Sequence, residues 1–134
     1  MSKPNILVDR KALEMNRNRA IGRDEYFLHE LAIVEIKDRL SSINRDFHSI
    51  AIVSGLSTPW SKAFPKATVI QDKENLNLAH GEYDLIIHGM ALHWANDPVG
   101  QLIQARLALK SDGLMIAVCL GGTTLNELRN VFIE

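Results

Sequence analysis

Cysteine is almost absent from this chain of 134 residues, in which Cys119 is the only one. One thiol allows neither an intrachain disulfide nor a cysteine-based zinc site. Long apolar stretches are lacking too, since no run approaches the roughly 18 residues that a membrane-spanning helix needs, and no signal-peptide pattern opens the sequence. We therefore expect a protein of the cytoplasm that has no membrane partner.

An excess of charge of one sign is also lacking. The chain carries 15 basic and 16 acidic residues, and its formal net charge is −1 at pH 7. A balanced surface has no overall attraction for nucleic acid, so we expect no nucleic-acid partner. The five histidines include no pair at helical metal-ligand spacing, and we therefore expect no metal site.

Residues 1–47 have the pattern of a helical N-terminal segment. Five basic side chains without interleaved aromatic residues favour a solvated first helix over a nucleic-acid surface; they are Arg10, Lys11, Arg17, Arg19 and Arg23. Gly22 interrupts this helix, and Asp24 is a suitable N-cap for the next one. Apolar residues at three-, four- and seven-residue spacings predict a second helix of about five turns. They are Phe27, Leu28, Leu31, Val34, Leu40 and Ile43.

Residues 48–134 have the pattern of a small α/β domain. Short apolar runs predict strands of a mostly parallel sheet at residues 50–53, 67–70, 83–88 and 114–120. Between the last two runs, Asp97 and Pro98 can begin a helix, and Asp112 with Gly113 can end it. We therefore predict the α/β class and one domain overall, in which residues 1–47 form a helical lead-in to the sheet.

Three segments beyond residue 82 carry the most distinctive motif. They are YDLII at residues 83–87, ALHWAND at 91–97 and ALKSDGL at 108–114. Together they resemble the fourth strand, the next helix and the fifth strand of class I S-adenosylmethionine-dependent methyltransferases. The branch that they resemble contains the biotin-synthesis carrier-protein methyltransferases and bacterial relatives of a respiratory complex I assembly factor. GGTTLNELR at 121–129 is similar to the segment that follows in that branch, and Asp9-Arg10 with Arg19-Ala20 is similar to its N-terminal lead-in.

This resemblance implies a Rossmann-like sheet with S-adenosylmethionine bound beyond the carboxyl ends of its strands. The implied cofactor-binding residues are Gly55, Ser57, Asp72 and Met90, and the implied substrate-binding residues are His93 and Trp94. Two alignments of Asp72 are open, one beside the adenine and one at the ribose hydroxyls; the first is favoured because the chain before Tyr83 has no space for another strand. No catalytic side chain is implied, because a sulfonium methyl group is already activated and the protein mainly aligns the nucleophile. A packing role for Trp94 fits the sequence equally well.

The glycine motif of that family is altered in this chain. In the family the first strand ends in an acidic residue followed by three alternating glycines, which let the backbone approach the cofactor. This sequence has Val53 at the acidic position, and Gly55, Ser57 and Pro59 at the glycine positions. Because proline has a fixed φ and no amide hydrogen, we expect bulkier residues to fill the cofactor space and cofactor binding to be weak or lost.

The sequence is also shorter than the family pattern. Between Gly55 and Tyr83 there is room for one strand where the family has two, and the chain stops at Glu134 ahead of the family's last strands. We therefore expect a bare sheet edge near residues 114–120, through which the chain forms a homodimer or a larger assembly.

These patterns predict a methyltransferase-like protein that acts on, or assembles with, another protein. Two alternatives stay open. One is a non-catalytic interaction or assembly module, and the other is a fragment of an interrupted methyltransferase gene. Binding of S-adenosylmethionine separates an enzyme from a non-catalytic module, because methyl transfer cannot proceed without its cofactor.

Overall fold

A computed structural model describes residues 5–23 and 25–133 of the chain. Its strands are β1 (Ile50–Val53), β2 (Thr68–Ile70), β3 (Tyr83–Gly89) and β4 (Leu109–Val118). They form one sheet in the order β2-β1-β3-β4, and every neighbouring pair is parallel. The predicted α/β class is therefore confirmed, and each of the four apolar runs contributes a strand.

Helices cover the sheet and connect its strands. Within the described ranges they are α1 (Arg10–Ala20), α2 (Phe27–Ser41), α3 (Thr58–Ala63), α4 (Pro98–Ala108) and α5 (Asn126–Ile133), together with a 3-10 turn at Leu92–Trp94. Asp24, which the sequence suggests as the N-cap of α2, lies outside the described residues. No helix in the described part of the chain is both long enough and apolar enough to cross a membrane.

The two faces of the sheet pack against different helices. Ile52 of β1 belongs to a core cluster that includes residues of α2 and α3, whereas its neighbour Ala51 belongs to a second cluster with residues of α4. Successive side chains of a strand point to opposite faces. Because both faces are covered, the central strands need apolar residues at every position, which is the pattern that the sequence shows.

Helix α2 presents a different face to the sheet from the one that its spacing predicts. The side chains that it buries are Ala32, Ile33 and Ile36. Of the predicted stripe, Phe27, Leu31 and Val34 are more than 60% exposed, at 64%, 63% and 66%. The predicted stripe is therefore wrong except at Leu40, which packs against the core. Helix α2 is apolar on more than one side, and spacing alone does not select the side that packs.

The boundary between α4 and β4 also differs from the predicted one. Helix α4 ends at Ala108, four residues before the expected stop at Asp112 and Gly113. Strand β4 begins directly at Leu109. Leu109 pairs with Tyr83, and a register shift follows, because Leu85 pairs with Leu114. The irregular stretch of β4 consists of polar, exposed residues that resemble a helix end followed by a turn, so the apolar pattern does not reveal it.

Strand β4 forms one edge of the sheet, and β3 is its only strand neighbour among the described residues. Its apolar residues Leu114, Met115 and Ile116 are only half-buried, and α5 buries none of its side chains. The bare edge that the sequence predicts near residues 114–120 is therefore present in the described part of the chain.

Candidate functional site

The carboxyl ends of β1, β2 and β3 meet at one edge of the sheet, where open α/β sheets bind ligands. Helix α1 is held against this edge in part by the residues that precede it. The side chain of Asp9 accepts a hydrogen bond from the Ala12 backbone N–H at 3.0 Å and so caps the helix. Just before it, the backbone N–H groups of Leu7 and Val8 donate to Asn96 Oδ1 at 2.7 and 2.8 Å. These bonds tie the start of α1 to the loop that follows the 3-10 turn.

Asp72 is the centre of this arrangement, because it is a carboxylate that is only 1% exposed. The Arg17 guanidinium donates to both of its oxygens, Nη1 to Oδ1 at 2.8 Å and Nη2 to Oδ2 at 2.7 Å. Arg10 Nη2 donates to the Asp72 backbone carbonyl at 2.7 Å and lies 3.6 Å from Oδ1. A buried carboxylate requires such compensation, and a bidentate arginine is the strongest form of it.

The interpretation of α1 as a solvated basic helix is therefore wrong for two of its arginines. The side chains of Arg10 and Arg17 are only 28% and 20% exposed, whereas Arg19 and Lys11 are exposed. Arg10 also donates from Nη1 to the Trp94 carbonyl oxygen at 3.2 Å. The charge pattern misses these contacts because Asp72 lies more than 50 residues further along the chain.

Gly55 lies directly beneath the Arg17 guanidinium. A Cβ atom at position 55 would collide with that group, so the lack of a side chain is what admits it. The sequence leads us to expect Val53, Ser57 and Pro59 to fill the cofactor space, but Arg17 is the residue that lies over Gly55. Pro59 instead lies buried in the first turn of α3, where its missing amide hydrogen leaves no helix bond unmade.

Two cavities flank the Arg17 side chain. The larger, of about 550 Å³, is lined mainly by apolar groups that include Leu56, Met90 and Trp94. The smaller, of about 440 Å³, is lined by charged groups that include Lys11, Glu14, Lys73 and Glu74. Both cavities are lined by the same four residues at their common boundary, Leu13, Arg17, Gly55 and Leu56.

The structure brings four of the six predicted site residues to this edge. Gly55 lines both cavities, Met90 and Trp94 line the larger one, and Asp72 lies beneath Arg17. Ser57 is exposed at the start of α3 and lines neither cavity. The centroids of the His93 and Trp94 rings are 5.1 Å apart, and His93 Nδ1 accepts a hydrogen bond from the Leu120 backbone N–H at 3.3 Å. His93 lines neither cavity.

Three residues of the site were not singled out from the sequence, namely Arg10, Arg17 and His29. Arg10 lies within the Asp9-Arg10 pair that resembles the family's lead-in, which is the one signal that could have marked it. His29 lines the larger cavity, and its Nδ1 accepts a hydrogen bond from the buried Trp60 indole N–H at 3.0 Å. Nothing in the spacing of α2 distinguishes His29 from a surface residue.

The place of β2 bears on the two alignments of Asp72. Doubly wound sheets have the order 3-2-1-4-5-6, in which the second strand adjoins the first. Here β2 pairs directly with β1, and residues 71–82 add no strand. The missing strand is therefore the outer one, and Asp72 follows the strand next to β1. This placement favours the alignment at the ribose hydroxyls over the one beside the adenine.

Arg17 occupies the groups that would meet S-adenosylmethionine, the cofactor that the resemblance implies. The space over the Gly55 backbone holds the Arg17 guanidinium, and both Asp72 oxygens already accept hydrogen bonds from it. A nucleoside would have to occupy the same space and use the same oxygens. Residues 5–23 and 25–133 contain no cluster of three or more histidine, cysteine or acidic side chains suited to a metal ion.

His88 supports the loop that carries Asp72. Its Nε2 lies 2.7 Å from Gln101 Oε1, and the Gln101 amide nitrogen donates to the Lys73 carbonyl at 3.0 Å. Since the amide oxygen of Gln101 can only accept, His88 Nε2 is the donor. His88 is fully buried, and its Nδ1 has no hydrogen-bond partner among the described residues.

Burial lowers the pKa of three histidines around the site. The pKa of His88 is lowered by desolvation, although its bond to Gln101 and the charge of Asp72 act in the opposite direction. The pKa values of His29 and His93 are lowered by desolvation and also by the positive charge of Arg17. A positive charge would be fully buried on the His88 ring and partly buried on the rings of His29 and His93, where it would also be repelled by the Arg17 guanidinium.

This arrangement predicts a loss of stability in mild acid. The pKa of His88 in the folded chain lies below the ordinary value of 6.5, so the unfolded chain binds more protons as the pH falls through that value. The free energy of unfolding, measured by urea denaturation, should decrease between about pH 7.5 and about pH 5.5. The variant His88→Gln should show a smaller decrease. His80→Gln, which changes an exposed histidine, should keep the full decrease, and an equal decrease in all three proteins would contradict the role of His88.

Comparison with known proteins finds relatives that are named as a hydroxylase or as methyltransferases. The human mitochondrial protein named arginine-hydroxylase NDUFAF5 is 33% identical over 88 residues, which are 66% of this chain and 26% of that protein. The putative methyltransferase RP459 of Rickettsia prowazekii is 43% identical over 63 residues, 47% of this chain and 28% of the relative. The malonyl-[acyl-carrier protein] O-methyltransferase of Laribacter hongkongensis is 41% identical over 66 residues, 49% of this chain and 22% of the relative.

The aligned part of this chain spans about a quarter of the length of the curated relatives that it matches. No family model matches the chain, and no solved structure matches it. Two of these relatives are named methyltransferases, which agrees with the resemblance found in the sequence, and the all-parallel sheet is consistent with the Rossmann-like fold that this resemblance implies. The chain is therefore related to the class I S-adenosylmethionine-dependent methyltransferases.

Proposed function

We propose that this methyltransferase-like protein binds S-adenosylmethionine weakly or not at all in the arrangement described above. The observation that carries the proposal is the Arg17 guanidinium, which lies over Gly55 and pairs with both oxygens of Asp72. These are the groups that would meet the cofactor by resemblance to the family. Binding therefore requires that a buried, charge-assisted ion pair be broken first.

Within this proposal, the nucleoside site consists of the Gly55 backbone, the Asp72 carboxylate and Met90. Met90 is 8% exposed and has a positive φ of 53°, which turns the chain sharply at the end of β3. Trp94, in the same cavity, forms the acceptor side, and His93 packs behind it against the Trp94 ring. We propose an acceptor carried by a protein, because one relative is named for malonyl-[acyl-carrier protein].

The main alternative is a non-catalytic interaction or assembly module. Exposed apolar side chains favour it, because a large apolar surface commonly marks a protein contact. On α2 these are Phe27, Leu31 and Val34, and on α4 they are Val99, Ile103 and Leu107. A third interpretation is that the chain is a fragment of an interrupted methyltransferase gene. In that case, the DNA downstream of the codon for Glu134 should encode the family's last strands.

The cytoplasm is the compartment that we propose for this protein. Cys119 is a free and exposed thiol. Free thiols persist in reducing compartments, where disulfides are rare.

Isothermal titration calorimetry with S-adenosylmethionine and S-adenosylhomocysteine tests the proposed function. We expect a dissociation constant on the order of 1 mM or weaker for both ligands, because each must displace Arg17 from Asp72. Any heat that is measured should disappear in Asp72→Asn. It should persist in Asp46→Asn, which alters an exposed carboxylate outside the site.

Micromolar binding to the unmodified chain would contradict the proposal and identify a competent cofactor site. No heat at millimolar concentrations of either ligand would agree with the proposal and favour the non-catalytic module over an enzyme.

We further propose that two copies of the chain associate through the outer edge of β4. The support is a strand of ten residues with one described strand neighbour and half-buried apolar side chains. Static light scattering should give twice the 15.0 kDa mass of one chain. Ala117→Lys, which adds a charge at an exposed position of β4, should lower the dimer fraction. A stable particle of one-chain mass at high protein concentration would contradict this proposal.

A further inference from the structure

We propose that Arg17 is an internal competitor of the nucleoside: its guanidinium occupies the place at Asp72 that the two ribose hydroxyls take when a ligand binds. This inference rests on the proposed nucleoside site at Gly55 and Asp72. It adds that the site is intact beneath Arg17 and is opened by movement of one side chain. The altered glycine motif then has a smaller effect on affinity than the arginine does.

The positions of the two cavities indicate that they are parts of one cleft, which the Arg17 side chain divides. They have volumes of about 550 and 440 Å³ and share a boundary made by Leu13, Arg17, Gly55 and Leu56. Of these four residues, Arg17 is the one whose long side chain crosses the gap between α1 and the sheet to reach Asp72. Withdrawal of the guanidinium would join the mainly apolar cavity to the charged one. A nucleoside that carries an amino acid has an apolar base for the first cavity and charged groups for the second.

The hydrogen-bond geometry at Asp72 supports an exchange of donors. The two carboxylate oxygens accept from two parallel N–H groups of Arg17 at 2.8 and 2.7 Å. A ribose diol also presents two adjacent donors, so it can satisfy the same oxygens in the same way. Because each oxygen of a buried carboxylate needs a partner, the guanidinium can leave at low cost only when another pair of donors replaces it.

The remaining contacts of α1 allow this exchange without loss of the helix from the sheet. Arg10 binds the backbone carbonyls of Asp72 and Trp94, and Asn96 binds the backbone ahead of α1. None of these bonds involves Arg17. Arg10 also lies 3.6 Å from Asp72 Oδ1, so part of the carboxylate charge stays balanced when Arg17 moves.

Titration with adenosine tests the exchange directly, because adenosine carries the ribose diol without the amino acid. Arg17→Ala should bind adenosine at least about tenfold more tightly than the unmodified chain, because no charge-assisted pair has to be broken. Arg19→Ala is the matched control, since it removes an exposed arginine from the same helix. It should leave the affinity unchanged.

A second titration, with 2′,3′-dideoxyadenosine, identifies the hydroxyls as the competing donors. Arg17→Ala should gain little affinity for this ligand, because it has no diol for Asp72. An equal gain for both nucleosides would contradict the exchange and show only that space was created. Equal adenosine binding by the unmodified chain and Arg17→Ala would overturn the competition but leave the nucleoside site in place. No binding by either protein would overturn the competition and leave the non-catalytic module as the function.

An experiment on the unmodified chain covers the case in which Arg17→Ala does not fold. The side-chain Nε–H resonance of Arg17 in a ¹⁵N correlation spectrum reports whether the guanidinium is held in place. Adenosine at millimolar concentration should shift this resonance toward that of a solvated arginine and leave the Arg19 resonance unchanged. A spectrum in which Arg17 is unaffected by adenosine would overturn the inference.

Discussion

The buried carboxylate of Asp72 is the constraint on which the arrangement of this chain depends. A carboxylate without partners is costly to bury, so the fold must supply donors where β2 ends. Arg17 supplies two of them, and Arg10 holds the backbone of the same residue. Because both arginines belong to α1, these contacts, together with the bonds from Asn96, place the N-terminal helix over this end of the sheet. One charge therefore links the end of a strand, the position of a helix and the contents of the cleft between them.

Because of this ion pair, the relationship of the chain to methyltransferases does not by itself establish that the chain binds their cofactor. The all-parallel sheet and the methyltransferase names of two relatives support the relationship. At the point where a nucleoside would contact backbone, however, the chain places a guanidinium of its own over Gly55. Glycine has the same physical use for a guanidinium as for a cofactor, since the lack of a side chain lets either group approach the main chain closely.

The sequence predicts the strands well because the central strands are buried on both faces, which requires continuous apolar runs. It fails for α2, where apolar residues lie on several sides of the helix, and at the start of β4, where the irregular residues resemble a turn. For the site, it indicates Gly55, Asp72, Met90 and Trp94 through strand ends and family resemblance. It misses Arg17 because a pair between residues 55 positions apart leaves no local pattern, and a basic helix with few large apolar residues resembles a solvated one.

A double-mutant cycle on Arg17 and Asp72 measures the central interaction most directly. Arg17→Gln, Asp72→Asn and the combined variant should give a coupling free energy of about 2 kcal/mol or more in urea denaturation, as expected for a buried, bidentate pair. The exposed pair of Arg39 with Glu35, at 2.7 Å on α2, provides the reference and should give about 0.3–0.5 kcal/mol. A coupling for Arg17 and Asp72 no larger than that of the exposed pair would contradict the view that Arg17 is the main partner of the buried Asp72 carboxylate.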